Sequence, residues 1–147
     1  MMQIMDVLRW HFADRKILLS VSGGVDSQLL LFLLLQILDE RQIELVYFDH
    51  GVRSNTNVDV NVIRQLLWGK DLELRVVHVD LESPLAVRSR RAMTDFWTLE
   101  EGMSKDRGFQ ALSANFRHSY LRDLSEKLNC EMVVTAHHFD DMCETLL

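Results

Sequence analysis

The sequence has little cysteine, a single proline and no recognisable targeting segment. Its two cysteines, Cys130 and Cys143, are too few and too unevenly spaced for a disulfide framework or for zinc-binding pairs of the C-x-x-C kind. We therefore expect free thiols in a reducing compartment. The N-terminus has no basic region followed by an apolar stretch, so a secretory signal is not expected and the cytoplasm is the predicted location.

Long hydrophobic segments and an excess of basic charge are also missing. The most apolar run, residues 29 to 38, has about half the length that crosses a bilayer, so it predicts a helix buried on most sides and no membrane span. The net charge is -6, whereas a protein that grips many nucleic-acid phosphates usually has a basic face. What is present is an ordinary globular composition, 48% hydrophobic and 26% charged, over 147 residues, which is the length of one domain.

Apolar runs alternate with segments of helical period along the chain. Strands are predicted at residues 17 to 21, 43 to 48, 72 to 79 and 132 to 135. Helices are predicted between the second and third strands, with a stripe of Val58, Val62 and Leu66, and at 111 to 128. The apolar stripe of the second helix consists of Leu112, Phe116, Tyr120, Leu124 and Leu128. This alternation predicts an α/β fold, a three-layer sandwich around a mainly parallel sheet.

The segment from 81 to 110 fits neither period and contains Pro84, the only proline. Long irregular stretches in compact domains are commonly lids, binding loops or disordered segments, so we predict an insertion or long loop here. Its cluster Arg88, Arg90 and Arg91 has two interpretations, a solvated charged face or a patch that contacts substrate phosphates.

The most informative segment follows the first predicted strand and precedes the apolar helix. It reads Ser22, Gly23, Gly24, Val25, Asp26 and Ser27. Two glycines permit backbone conformations closed to other residues and a close approach to a ligand, and the two serines can add hydroxyl donors. The free N–H groups of the helix start point at the same spot, with the positive end of the helix dipole. The segment therefore predicts a phosphate-binding loop; an ordinary glycine-rich turn is the alternative.

This loop lacks the lysine of the G-x-x-x-x-G-K-S/T motif, which excludes the common kinase and GTPase type of site. The string SGGVDS resembles the signature of the PP-loop ATP pyrophosphatases. That resemblance implies an adenine nucleotide alpha hydrolase-like, Rossmann-like fold. It also implies cleavage of ATP between the α and β phosphates, with transfer of AMP to a substrate oxygen.

Two further motifs fall at the ends of predicted strands, where open α/β sheets place their ligands. The first runs from Phe48 to Arg53 and reads FDHGVR; its glycine suits a turn and its arginine suits a phosphate or carboxylate. The second, AHHFDDMCET, starts at Ala136 and brings carboxylates three and four residues apart onto one helix face. Such a cluster suits magnesium or an amine. Each motif also has an ordinary interpretation, as a turn with a satisfied histidine and as a helix start with acidic residues.

Together, SGGVDS, DHGVR and AHHFDDMCET resemble the tRNA(Ile)-lysidine synthase branch of the PP-loop family. The resemblance implies that residues 22 to 27 bind ATP, with His50, Gly51 and Arg53 at the border of the nucleotide pocket. It implies substrate binding by His137, Asp140 and Arg117. The implied catalytic residues are Asp26, Asp141 and Glu144. The implied ligands of Mg²⁺ are Asp26 and Asp141.

For function, the branch implies ATP-dependent adenylation at C2 of the anticodon cytidine in an isoleucine tRNA, followed by attack of the L-lysine ε-amine. Two alternatives stay open: a PP-loop enzyme that thiolates tRNA, and a non-catalytic ATP-binding or regulatory fragment that needs a partner. The family's A-R-x-x-R-Y segment survives here only as Arg117 and Tyr120. Family members also continue beyond the position of Leu147. We therefore expect a single PP-loop domain over 1–147 that is truncated at its C-terminus: either the chain is a fragment of a longer protein, or a homo-oligomer or a partner subunit supplies the missing layer.

Overall fold

A computed structural model of the protein describes residues 3–51, 56–79 and 105–136. The helices and strands are, in chain order, α1 (Ile4–Phe12), β1 (Ile17–Val21), α2 (Val25–Ile37), β2 (Ile43–Asp49), α3 (Thr56–Leu66), β3 (Leu74–His78), α4 (Lys105–Lys127) and β4 (Met132–Thr135). A short 3₁₀ turn, Glu40–Gln42, joins α2 to β2. None of the described helices is long and apolar enough to cross a membrane.

The described strands form a parallel sheet in the order β3-β2-β1-β4. The register places Ile17 beside Ile43 on one side and beside Met132 on the other, so β1 lies at the centre. Since all these strands are parallel, their carboxyl ends share one edge of the sheet. The loop after β1 therefore lies between the segments that follow β2 and β4.

Helices cover both faces of the sheet because alternate strand residues point to opposite sides. On one face, Leu19 and Leu45 pack with α1, α2 and α3 in a cluster that includes Leu31 and Ile63. On the other face, Leu18, Val46 and Phe48 pack against Phe116 and Leu121 of α4. This confirms the predicted α/β fold with a three-layer arrangement and a parallel sheet.

The strands lie close to their predicted positions, but the helices differ in detail. The sequence reasoning missed α1, and α4 begins at Lys105 rather than near residue 111, inside the predicted irregular segment. Residues 80–104 of that segment, with its arginine cluster, lie outside the described residues. The expectation that the apolar run 29 to 38 is buried on most sides holds for Leu31, Leu34 and Leu35, but one face with Leu29 and Phe32 is exposed.

The apolar stripe predicted for α3 is also wrong. Val60 and Ile63 are buried, and Leu67 just after the helix is buried with them, whereas Val58 is 59% exposed. The helix is therefore rotated relative to the predicted face. The rotation has a consequence for the site, because it directs Asp59 of the first turn toward the loop after β1.

At the opposite, amino-terminal edge of the sheet, Glu44 joins two cations. Its carboxylate lies 3.0 Å from Lys16 Nζ and 2.6 Å from Arg75 Nη1. Lys16 Nζ also donates to the carbonyl of Leu128, just beyond α4, at 3.1 Å. Burial alone would raise the pKa of Glu44, but the hydrogen bonds from Lys16 and Arg75 outweigh it and lower the pKa. The cluster thus links β1, β2, β3 and the end of α4.

We expect Glu44→Gln to lower the free energy of unfolding at pH 7 by about 1–2 kcal/mol, because both cations lose a charged partner in a half-buried position. A carboxyl whose pKa is lowered on folding stabilises the protein above its unfolded pKa, and this contribution is lost as the pH falls through the folded pKa. The difference between wild type and variant should therefore shrink below about pH 4. Urea unfolding at several pH values measures it, with the exposed Glu126→Gln as control; an equal loss in both variants would contradict the role of the cluster.

Candidate functional site

The turn from β1 to α2, residues 22–27, is closed by its own serines; we call it the anion loop. Ser22 N donates a hydrogen bond to Ser27 Oγ at 2.8 Å, and Gly24 N donates to Ser22 Oγ at 3.3 Å. Gln28 Nε2 donates to the carbonyl of Gly23 at 3.0 Å. Ser27 is only 4% exposed, so its hydroxyl is a fixed part of the turn. In this structure the two serine oxygens accept from the loop backbone, a use that the sequence reasoning did not foresee.

Helix α2 opens toward this loop with its positive end. Its N-cap residue is Gly24, which makes no side-chain cap to the first turn. Val25 contributes its backbone to that turn while its side chain is exposed. Asp26 also lies in the first turn and is exposed at the mouth of the loop. Backbone N–H groups at a helix start, reinforced by the helix dipole, form an anion-binding surface.

One of the two loop glycines is needed for a different reason from the one predicted. Gly24 has an ordinary φ of -71°, and the glycines with positive φ in the described residues are Gly51 and Gly69. The prediction that Gly23 and Gly24 adopt conformations closed to other residues is therefore wrong. At Gly23 the reason is space, because a Cβ there would overlap the carboxylate of Asp59.

Asp59 reaches the anion loop from the first turn of α3 and is held by the sheet. Tyr47, a buried residue of β2, donates its hydroxyl to Asp59 Oδ2 at 3.3 Å. Burial raises the pKa of Tyr47, and the negative charge of Asp59 raises it further, so the phenol remains a donor near neutral pH. Sequence reasoning missed both residues. An acidic side chain in the first turn of a helix, such as Asp59, is usually explained by its favourable interaction with the helix dipole.

The end of β2 is organised by Asp49, another residue that the sequence reasoning did not select. Its Oδ1 accepts from Gly51 N at 2.9 Å and from Thr56 Oγ1 at 3.0 Å, and its Oδ2 lies 3.0 Å from His78 Nδ1. The Gly51 N–H, helped by Thr56 and His78, lowers the pKa of Asp49. Gly51 has a φ of +66°, which agrees with the predicted turn. Asp49 thus ties Gly51 and the start of α3 to the end of β3, and the next residue, His50, is half-buried.

Arg117, predicted to bind substrate, is a half-buried residue of α4. Burial lowers the pKa of its guanidinium. It lies beside Phe116, which stacks on Tyr120, and Tyr120 contacts Phe48 near the carboxyl end of β2 edge-on. Because α4 returns the chain from β3 to the parallel β4, it runs antiparallel to the strands. The Tyr120–Phe48 contact thus brings the turn of α4 that follows Arg117 close to the carboxyl end of β2.

The remaining predicted site residues are Arg53, His137, Asp140, Asp141 and Glu144, and all lie outside the described residues. What the structure gives is the starting point of the third motif. Thr135 pairs with Ser20 in β1, so Ala136 leaves the sheet next to the anion loop. The described residues contain no cluster of three or more histidine, cysteine or acidic side chains arranged to hold a metal ion. The Mg²⁺ ligation by Asp26 and Asp141 stays a prediction.

Known proteins resemble the chain over most of its length. A family model described as a PP-loop domain matches residues 2–147. The chain is 28% identical over 134 residues to a tRNA(Ile)-lysidine synthase of Thermosipho africanus, covering 90% of this chain and 27% of that protein. It is 27% identical to a tRNA(Ile)-lysidine synthase of Enterococcus faecalis, covering 89% and 24%. The chain spans about a quarter of the length of these two relatives.

Among solved structures, the fold is similar to that of a glutamine-dependent NAD+ synthetase from Acinetobacter baumannii in complex with adenosine diphosphate. The TM-score is 0.66 at 16% identity, and the match covers 97% of this chain and 25% of that one. At this identity the likeness concerns the fold alone. The family match, in contrast, is a match of sequence. It spans residues 2–147 and includes the SGGVDS turn at the start of α2. The chain belongs to the PP-loop domain family.

Proposed function

We propose that this protein is an ATP-dependent, tRNA(Ile)-lysidine synthase-like ligase that forms AMP and pyrophosphate. The observation that carries the proposal is the anion loop at the carboxyl edge of the sheet. There the loop hydroxyls fix the turn, and the uncapped start of α2 faces the same space. The lysidine synthases of Thermosipho africanus and Enterococcus faecalis are similar to about nine tenths of this chain, and they support the choice of tRNA and lysine as substrates.

In the proposed reaction, residues 22–27 bind the ATP phosphates through backbone N–H groups. His50 and Arg53 border the nucleotide. The O2 oxygen of a cytidine forms a bond to the α phosphorus, and the bond from that phosphorus to the bridging oxygen breaks, so pyrophosphate leaves. Negative charge grows on the leaving group, and the helix dipole stabilises it; a magnesium ion held near Asp26 would supply further positive charge there.

The second step forms the C–N bond between the lysine ε-amine and C2 of the cytidine, and AMP leaves. An amine attacks only after losing its extra proton, so the site needs a base. We assign Asp141 or Glu144 to orient the ammonium group and to accept that proton. His137 and Asp140 then lie on the lysine side, and Arg117 contacts the substrate from α4.

The proposal is tested by incubating the protein with radiolabelled lysine, ATP, Mg²⁺ and bulk unmodified tRNA, and then measuring label in precipitated tRNA. We expect incorporation that requires ATP and disappears when the tRNA is omitted. Labelling of tRNA from a sulfur donor in place of lysine would contradict the lysidine assignment and favour thiolation. ATP binding without transfer to tRNA would favour a regulatory module.

The environment of Cys130 favours lysine over sulfur as the group that is transferred to the tRNA. Thiolating enzymes of this kind generally use cysteine pairs or an iron–sulfur cluster, and Cys130 is half-buried. Burial raises the pKa of its thiol, which keeps the thiol protonated and unreactive. The thiol also lies near Lys16, Glu44 and Arg75 at the amino-terminal edge of the sheet, away from the anion loop, so it is not placed to deliver sulfur there.

A further inference from the structure

Asp59 contacts the anion loop from outside the SGGVDS motif. It lies in the first turn of α3, and its carboxylate occupies the volume that a side chain at position 23 would need. Gly23 is therefore packed against a side chain of another helix. Among the described glycines, this is the position where an added Cβ would overlap a neighbour most severely.

The carboxylate of Asp59 is restrained by a hydrogen bond from β2. Tyr47 donates its hydroxyl to Asp59 Oδ2 at 3.3 Å, and Tyr47 itself is 6% exposed within the core between the sheet and α3. The main chain of α3 is anchored in the same core by Val60 and Ile63. The position of the Asp59 side chain is thus set by β2 and by the buried face of α3.

A carboxylate beside a phosphate-binding loop is electrostatically unfavourable, so its presence calls for a geometric reason. Two negative groups several ångströms apart at a wet surface repel by on the order of 1 kcal/mol. The Tyr47 hydroxyl draws part of this charge away from the loop by donating to it. The remaining unfavourable charge is offset by a packing contact, because the Asp59 side chain restricts where the Gly23 peptide can lie.

We propose that Asp59, fixed by Tyr47, is a positioning residue that holds the Gly23 peptide of the anion loop in its ATP-binding place. This inference rests on the proposed function, since it takes the anion loop to be an ATP site. Asp59 acts through Gly23 and not by touching the reacting atoms. ATP binding should therefore depend on the shape of the Asp59 side chain more than on its charge.

A double-mutant cycle tests the contact. Gly23→Ala alone should weaken ATP binding by about tenfold or more, because the new methyl and the Asp59 carboxylate need the same space, and Asp59→Ala alone by about fivefold. In Gly23→Ala/Asp59→Ala the methyl has room, so the loss should be at least about fivefold smaller than the product of the two single losses. Isothermal titration with ATP and Mg²⁺ measures all four proteins, and strictly multiplicative losses would overturn the proposal.

Matched variants separate positioning from loss of structure. Asp59→Asn keeps the shape and an acceptor for Tyr47, so it should bind ATP as tightly as wild type or more tightly. Asn61→Ala, at an exposed position of the same helix, should leave ATP binding unchanged. In AMP release, Asp59→Ala should raise KM for ATP while kcat changes less. An Asp59→Asn variant as weak as Asp59→Ala would overturn the proposal.

Two checks keep the result interpretable. Thermal unfolding of each variant establishes that it is folded. If Gly23→Ala does not fold, Tyr47→Phe replaces it in the test. This variant removes the hydrogen bond to the Asp59 carboxylate but keeps the ring in the core, and it should weaken ATP binding about twofold to fivefold. Unchanged ATP affinity in Tyr47→Phe and in Asp59→Ala would contradict the inference. Failure of wild type to bind ATP would instead contradict the proposed function, so the two failures are distinguishable.

Discussion

Replacement of Asp26 by alanine is expected to abolish AMP formation while the protein stays folded. Asp26 is exposed in the first turn of α2, at the mouth of the anion loop, so it contributes little to the core. An acidic side chain at a helix start stabilises a protein by only about 0.3–1 kcal/mol, and folding should survive its loss. Removal of a group that supports charge in the transition state costs about 100-fold or more in rate. The rate of AMP release from ATP in the presence of tRNA and lysine measures the effect.

The chain offers a matched control for this substitution. Asp6 is the acidic residue in the first turn of α1, where its carboxylate accepts from Gln3 N at 3.3 Å. Asp6→Ala should cost a similar small amount of stability and leave AMP formation unchanged. Normal turnover in Asp26→Ala, or an equal loss in both variants, would contradict the role assigned to Asp26.

The second large effect is expected at Ser27. Its buried Oγ accepts from Ser22 N at 2.8 Å, so Ser27→Ala leaves a backbone N–H of the loop without its partner. An unsatisfied group of this kind costs about 1–3 kcal/mol, and the anion loop should lose its fixed conformation. We expect a lower melting temperature together with ATP affinity weaker by about tenfold. Differential scanning calorimetry and ATP titration measure the two effects on the same samples.

Ser113 provides the comparison for Ser27. It is equally buried, at 5% exposure, but its Oγ has no hydrogen-bond partner among the described residues. Ser113→Ala removes a hydroxyl whose desolvation no group among the described residues compensates, so the variant should be as stable as wild type or more stable. A loss of stability in Ser113→Ala similar to that in Ser27→Ala would contradict the view that the loop hydrogen bond is what matters.

The strands were predictable because their residues form short continuous apolar runs, as buried parallel strands do. The runs at 17 to 21 and at 132 to 135 match β1 and β4 without shift. Helix α1 was missed because it is only nine residues long, although its apolar residues recur at helical spacing. The stripe of α3 was misjudged for a different reason. Apolar residues recur there at more than one spacing, and only packing against β2 decides which face is buried.

The candidate site was predictable where a motif is local. The anion loop lies where SGGVDS predicted it, between β1 and α2, and Gly51 has the positive φ that a turn required. Tyr47 and Asp59 were not predictable, since their roles depend on contacts between separate elements: β2 with α3, and α3 with the loop after β1. Neither residue type nor spacing marks such a contact in one sequence. Asp49 was missed in the same way, because its partner His78 comes from another strand.

The measurement that tests the central claim most directly is the identity of the nucleotide products. The protein is incubated with Mg²⁺, lysine, bulk unmodified tRNA and ATP labelled at the α or at the γ phosphorus, and the products are separated by chromatography. The account predicts that the α label appears in AMP and the γ label in pyrophosphate, and that Asp26→Ala forms neither product. ADP and inorganic phosphate as the products of the wild-type protein would contradict it.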